Sequence, residues 1–233
     1  MASLEDQQDR MVRLLRYMAL QPGDPLPTEP QLAQKLNMSR QSVREVLCAL
    51  QALGFIEGRQ GARRRMRGFD PAVFGKHIGL TLPYDQDSLL EILEMRQALE
   101  TQFFPAAFQT ISARRLKQLR GLTDAMRALA LEGKTFLDED EQFHAMLYDG
   151  LENRTLTGIL GGFWHFFKTG SSTITTGKDL PHTAALHAAI VDAIETGDPQ
   201  LAAHRLDIHF FDVRNRLAHL AEQDIKGRPA LVS

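Results

Sequence analysis

Apolar side chains recur along this chain at helical spacing almost everywhere, and the exceptions mark its organisation. Within residues 5–20, Met11, Leu14, Leu15 and Met18 share one face and predict a first helix. Gln21-Pro22-Gly23-Asp24-Pro25-Leu26-Pro27 breaks it. Thr28-Glu29-Pro30-Gln31 then reads as a capping box, in which the threonine hydroxyl and the glutamine side chain satisfy first-turn backbone groups. Pro30 is tolerated because those early N–H groups have no helical partner. This helix runs to Leu36, Asn37-Met38 turns the chain, and Ser39 caps the next helix. There Val43, Val46, Leu47, Leu50 and Leu53 line one face, and Gly54 closes the helix. Beta signals are scarce, the best being Phe55-Ile56 and a short stretch after Gly61.

Residues 68–86, with Gly68, Pro71, Gly75, Gly79 and Pro83, read as a linker. From there to about residue 222 the pattern is helical, in segments 87–109, 112–132, 136–150, 154–170, 182–196 and 199–222. There is no internal repeat and no low-complexity tract. The expectation is a mainly α protein with a winged helix-turn-helix over residues 1–68, a linker over 69–86 and an all-helical antiparallel bundle over 87–225.

Charge changes the picture of the first part. Residues 35–67 carry eight basic side chains (Lys35, Arg40, Arg44, Arg59, Arg63, Arg64, Arg65, Arg67) against Glu45 and Glu57. That window is +6 in a chain of net charge −2, so the remainder carries −8. A basic segment beside an acidic body points to a polyanion partner for one part only. The helix after Ser39 buries its apolar stripe and leaves Arg40, Gln41, Ser42 and Arg44 to solvent, as a helix reading base edges in a major groove requires. Arginine suits that role because its fork pairs with both guanine acceptors. Arg59, Gln60, Gly61 and the arginines at 63–65 sit where a hairpin wing reaches phosphates or the minor groove. The bland alternative is a solvated basic surface; cap, turn, stripe, wing and charge asymmetry together argue against it.

With 43% hydrophobic and 24% charged residues, the chain has the makings of an ordinary globular core. Cys48 is the only cysteine, which excludes an internal disulfide and fits a reducing compartment. It lies one position past the apolar stripe and reads as a small packed side chain. No apolar signal core opens the sequence and no stretch approaches a bilayer span, so a cytoplasmic protein without membrane contact is expected.

The second part carries candidate chemistry. Asp140 and His144 are four apart on one face continued by Leu147 and Leu151. His187 shares a face with Ile190, Val191 and Ile194, and His209 with Ala202, Leu206 and Val213. One carboxylate and three imidazoles from inward faces can hold a first-row divalent cation, and helix bundles build such sites from facing helices. Each residue alone is weak evidence. A histidine on an apolar face is commonly a hydrogen-bonded core group, and Asp140 belongs to the acidic run Asp138-Glu139-Asp140-Glu141. His204 also faces apolar residues, Leu201 and Ile208, so periodicity leaves His204 and His209 both open.

Two groups of motifs carry a family resemblance. The first is Gly23-x-x-Leu26-Pro27-x-Glu29-x-x-Leu32-Ala33, Ser39-Arg40-x-x-Val43-Arg44-Glu45, Leu50-x-x-x-Gly54-x-Ile56 and Arg59-Gln60-Gly61. The second is Glu94-x-Arg96-x-x-Leu99-Glu100, Asp140-x-x-Phe143-His144, Asn153, His187-x-x-Ile190-x-x-Ala193-Ile194, Gly197-Asp198 and His209. The first resembles the DNA-binding domain of the GntR family of bacterial regulators. The second resembles the FCD ligand-binding domain of its FadR subfamily. One departure stands out: the family has a second glycine and a beta-branched strand after the wing tip, where this chain has Ala62-Arg63-Arg64-Arg65-Met66.

The resemblance implies that Arg40, Gln41, Ser42 and Arg44 contact an operator and that Gln60-Gly61 form the wing tip. It implies that Asp140, His144, His187 and His209 hold a divalent metal, with zinc, nickel and manganese all open, and that a small carboxylate effector completes the coordination. Arg96 then faces the anionic effector, the alternative being an ion pair with Glu94 or Glu100. Asn153 bonds effector or metal-bound water, or else caps a helix. Phe163, Trp164, Phe166 and Phe167 read as core. The function expected is that of a homodimeric repressor on a palindromic operator. The rival is a metal-dependent hydrolase or lyase with an accessory DNA-binding domain. Against it, no general base adjoins the ligand set: Glu141 projects about 100° away from Asp140. A ligand-free architectural DNA binder is a second rival, and it predicts no inward polar constellation.

Overall fold

A computed structural model describes residues 3–58, 63–68, 70–170 and 179–227, with side chains to residue 218. The chain divides into two compact units, Met1–Val73 and Phe74–Ser233.

In the first unit α1 (Leu4–Tyr17), α2 (Glu29–Leu36) and α3 (Arg40–Ala52) precede a two-stranded antiparallel sheet of β1 (Ile56–Glu57) and β2 (Arg65–Met66). The caps are those the residue types dictate. Thr28 accepts from the Gln31 N–H while Gln31 reaches back to the Thr28 N–H, and Ser39 accepts from the Ser42 N–H. Asn37 ends α2 in the left-handed region at φ 49°, a conformation its short amide side chain tolerates. Met11, Leu15, Leu32, Leu36, Val43, Val46, Leu47, Leu50 and Ile56 close the core. Leu53, expected on the stripe, is instead 45% exposed, because the helix ends before it and it caps α3 from outside. The segment expected only to break the chain does more. The Leu26 N–H donates to the Arg64 carbonyl and the Met66 N–H to the Asp24 carbonyl, so 23–26 runs beside β2 as an edge partner.

Further along lie α4 (Pro71–Thr81), α5 (Gln86–Phe108), α6 (Ala113–Leu131), α7 (Leu137–Tyr148) with a 3-10 turn (Asp149–Leu151), α8 (Arg154–Gly170), α9 (Leu180–Glu195) and α10 (Pro199–Gly227). In the second unit α5, α6, α7, α9 and α10 pack around one apolar core, with α8 against α5 and α7. Helix α4 occupies the stretch read as a linker. The Asp70 carboxylate accepts from the Ala72 and Val73 N–H groups, and Pro71 sits at the first helical position, where it costs no hydrogen bond. Gly75 is there for contact: a Cβ at that position would lie 2.5 Å from the Gly162 carbonyl oxygen on α8. The remaining helix boundaries fall within a few residues of expectation, the largest difference being at the end of α10. No helix among the described residues is long and apolar enough to cross a membrane.

Candidate functional site

Two surfaces carry the sequence-derived candidates. On the first unit Arg40, Gln41 and Arg44 are exposed along the outer face of α3, and Ser42 is half-buried. Gln41 donates to Glu45, and the Ser42 and Ser39 hydroxyls lie 2.9 Å apart. Arg44 places Nε and Nη2 on Glu29 Oε2 at 3.3 and 3.1 Å, while Arg64 Nη1 takes Glu29 Oε1 at 2.9 Å. One carboxylate thus spans α3 and the residue just before β2, and these hydrogen bonds from Arg44 and Arg64 lower the Glu29 pKa. Sequence reasoning missed this use of the wing arginines. Arg63 and Arg65 also donate inward, to the carbonyls of Leu26 and Gly23. They hold β2 to the preceding loop where the family's strand has beta-branched residues. Cys48, expected to pack, is exposed, with Arg64 Nη2 3.9 Å from its sulfur. Arg59, Gln60 and Gly61 lie outside the described residues.

Inside the second unit Asp140 and His144 on α7, His187 on α9 and His209 on α10 each offer one donor atom, all within 4.8 Å of one another. The three imidazoles are essentially inaccessible and the Asp140 side chain is 17% exposed. His204, the alternative that periodicity left open, is exposed. The hydrogen bonds around the ring fix which nitrogens face the centre. A carboxylate can only accept, so His144 Nδ1–H donates to Glu100 Oε2, at 2.5 Å. His187 Nδ1–H donates to the Thr183 carbonyl at 2.9 Å. In both rings Nε2 therefore faces Asp140 Oδ1, at 3.3 Å from His144 and 3.0 Å from His187. Holding the outer nitrogen in this way is how proteins fix a ligating imidazole. His144 Nε2 and His209 Nδ1 are buried without a hydrogen-bond partner. Orphaned buried nitrogens in a set of one carboxylate and three imidazoles fit a borderline divalent cation.

Glu100, which sequence reasoning treated as one of two possible partners for Arg96, is the hub behind this set. It is fully buried, and its other oxygen accepts from Arg96 Nε at 2.6 Å. Its backbone carbonyl accepts from the Tyr148 hydroxyl at 2.9 Å. Burial pushes the Glu100 carboxyl up, but His144 and Arg96 outweigh it and the pKa falls below the ordinary value. Burial also opposes ionisation of Asp140, yet His187 and His144 hold it well below its usual range. His209 moves the other way, driven well down by burial and by the neighbouring imidazoles. For His144 burial and Arg96 press downward, but Glu100 and Asp140 prevail and the pKa rises. The remaining signal for Glu100 was its place four residues after Arg96 on a buried face.

Arg96 lies over the Trp164 ring at 4.1 Å and beside Phe210, with Nη2 buried and lacking an acceptor. Trp164, read as core, is 3% exposed, with its indole N–H equally unpaired. Asn153 uses its side-chain oxygen to accept from the Leu156 N–H, as a cap for α8.

Residues 8–65 match the family described as bacterial regulatory proteins of the gntR family, and residues 91–212 match the FCD domain. The chain belongs to the GntR family and carries an FCD domain. Among its relatives is the HTH-type transcriptional regulator YcbG of Bacillus subtilis, 27% identical over 90% of this chain and 87% of that protein. LutR of the same organism is 23% identical over 91% of this chain and all of its own length. The transcriptional repressor NanR of Cronobacter sakazakii is 24% identical over 90% and 82% of the two chains. A solved GntR protein of Streptococcus agalactiae shares the fold, with a TM-score of 0.69 at 23% identity, covering 91% of this chain and 99% of that one. GntR and FCD modules are regulatory, and these relatives are transcriptional regulators. The chain is accordingly a DNA-binding transcription regulator and not an enzyme.

Proposed function

We propose that this GntR regulator is a homodimeric cytoplasmic repressor whose operator affinity is set by a divalent transition metal and a small carboxylate metabolite bound inside the FCD bundle. The observation that supports it is the convergence of Asp140, His144, His187 and His209 on one buried point, with His144 Nε2 and His209 Nδ1 lacking a hydrogen-bond partner. A cation held there by one carboxylate oxygen and three imidazole nitrogens supplies a Lewis-acidic anchor for an anion. The chain's own residues do the rest. Glu100 and Thr183 orient two of the rings, Arg96 presents a fixed positive charge, and the phenyl rings of Phe136 and Phe143 exclude water around His187. Arg40, Gln41, Ser42 and Arg44 read the operator, and two such helices meet the half-sites of a palindrome. The effector regulates only because it binds one arrangement of the dimer better than the other.

The test is metal content of the purified protein beside an Asp140→Ala/His187→Ala double variant. About one divalent ion per chain is expected in the wild type, since the four side chains converge on a single point, and none in the variant. A folded wild type that takes up no metal on titration would refute the metal-anchored sensor and leave the DNA-binding assignment standing.

A further inference from the structure

Resting on the reading of Arg44 as an operator contact, we infer that Arg64 and Glu29 are specificity-determining positioning residues, which together hold Arg44 so that its outer edge meets a guanine in each half-site. Glu29 Oε2 accepts from Nε and Nη2 of Arg44 at 3.3 and 3.1 Å. Those two N–H groups form one edge of the planar guanidinium. The other edge, Nη1 with the second Nη2 hydrogen, is not used by Glu29, and the side chain is 68% exposed. Its two parallel donors match the O6 and N7 acceptors of guanine in the major groove, whereas adenine sets an N6 donor against one of them. An arginine free to rotate would lose affinity in becoming ordered. Tethered to the start of α2 by Glu29, Arg44 meets the base with its plane already set.

Arg64 makes this tether workable beside a polyanion. Arg44, Cys48 and Gln51 follow one another at helical spacing and share one face of α3. Arg64 lies along that face: Nε is 3.4 Å from Gln51 Oε1, Nη2 3.9 Å from Cys48 Sγ and Nη1 2.9 Å from Glu29 Oε1. Gln51 is itself anchored, donating to the Gly58 carbonyl at 3.3 Å. All three nitrogens of Arg64 therefore turn toward the protein, and its side chain is 24% exposed, so it stands as a fixed charge and does not reach for phosphates. Its hold on Oε1 confines Arg44 to Oε2 and excludes a pairing in which both oxygens would take the arginine. It also settles the charge. Glu29 alone would cancel Arg44 on the face that must approach DNA, whereas one carboxylate between two guanidinium groups leaves a net positive charge there. Exposed ion pairs add little to folding, so the consequence of this arrangement lies in binding.

In the experiment, the full-length protein first selects its site from a pool of duplex DNA with a randomised centre. The selected duplex then serves as the probe, with each guanine in turn changed to adenine or to 7-deazaguanine, which lacks the N7 acceptor. Fluorescence anisotropy gives the affinities at low salt, where phosphate contacts keep weakened variants on DNA. At one position per half-site the wild type is expected to prefer guanine over adenine by roughly 10–100-fold and to lose about tenfold on 7-deazaguanine. Arg44→Ala should erase the preference at that position alone, which identifies it. Glu29→Gln and Arg64→Ala should each cut the same preference to about threefold or less, with the other positions and the melting temperature unchanged. A preference that survives either change would overturn the inference, as would a wild type indifferent to 7-deazaguanine at that position. So would an Arg64→Ala chain weakened on every duplex alike with a shallower salt dependence, the mark of a phosphate contact. If Arg64→Ala does not fold, Glu29→Gln, which keeps size and shape, decides alone. An Arg44→Ala chain that keeps every base preference would instead refute the operator contact itself, and the positioning role with it.

Discussion

Replacing Glu100 by Gln changes one atom and no shape, yet it strikes at both halves of the buried site. Glu100 is inaccessible to solvent, and its two oxygens are divided between Arg96 Nε and His144 Nδ1. An amide has a single acceptor oxygen, so one of these donors must face an NH2 group. Arg96, 5% exposed, would keep its charge with no counter-charge beside it. Stranding one member of a buried pair costs about 3–5 kcal/mol. If the NH2 faces His144 the ring must also shift its proton to Nε2, the nitrogen turned toward Asp140, and loss of such an outer hydrogen bond weakens metal binding about 10–100-fold. The assay is urea unfolding of metal-free Glu100→Gln, of Arg96→Met and of the combined Arg96→Met/Glu100→Leu chain. Each single change should lose several kcal/mol. The double variant should recover to within about 1–2 kcal/mol of wild type, because apolar replacement of a whole buried pair is often neutral. A double variant as unstable as the sum of the singles would refute the account of Glu100 as the counter-charge of Arg96.

Three further outcomes follow from the same geometry. Arg44→Ala should abolish operator binding in a mobility-shift assay while leaving the unfolding midpoint within the usual surface range of about ±0.5 kcal/mol; loss of folding would undo its assignment as a DNA contact. Metal affinity should rise with pH near neutrality, by about tenfold per unit for each proton displaced. The raised pKa of His144 means that the metal-free site holds a proton there until the pH passes that value, whereas the strongly lowered groups Asp140 and His209 hold none; calorimetry giving a flat profile between about pH 6 and pH 8 would contradict it. Gly75→Ala should destabilise the bundle by about 1–3 kcal/mol, because the added methyl meets the Gly162 carbonyl oxygen at 2.5 Å and the His165 Cβ at 2.7 Å. A thermal melt at the wild-type temperature would show that α4 yields there at no cost.

Most helices were legible because their signals are local. Thr28, Ser39 and Gly54 announce their ends, and Met11, Leu32, Val46 and Leu50 repeat at the period that buries one face. The burial of the candidate histidines was legible for the same reason: His187 and His209 share faces with residues that are plainly core. Periodicity could not separate His209 from His204, since both sit on α10 beside leucine or isoleucine, and only packing against α9 decides between them. What stayed hidden is relational. Nothing in the spacing says that Glu29 gathers Arg44 and Arg64 from two other elements, or that Glu100 touches a histidine 44 residues away. Helix α4 was obscured by its own glycines, which weaken a helix in isolation but here allow a backbone contact with α8.

The unpaired atoms of the bundle bear on how much of the protein a cell contains. His144 Nε2, His209 Nδ1, Arg96 Nη2 and Trp164 Nε1 are shut away from water without hydrogen-bond partners. Each such atom costs about 1–3 kcal/mol, within a total folding margin of only about 5–15 kcal/mol. Whatever engages them, cation or anion, also raises the folded fraction. Proteases remove chains through the unfolded fraction, so the lifetime of the protein follows the supply of its ligands. A cell short of them holds fewer copies of the regulator as well as emptier ones, and abundance and occupancy move together in setting how much of the operator is covered.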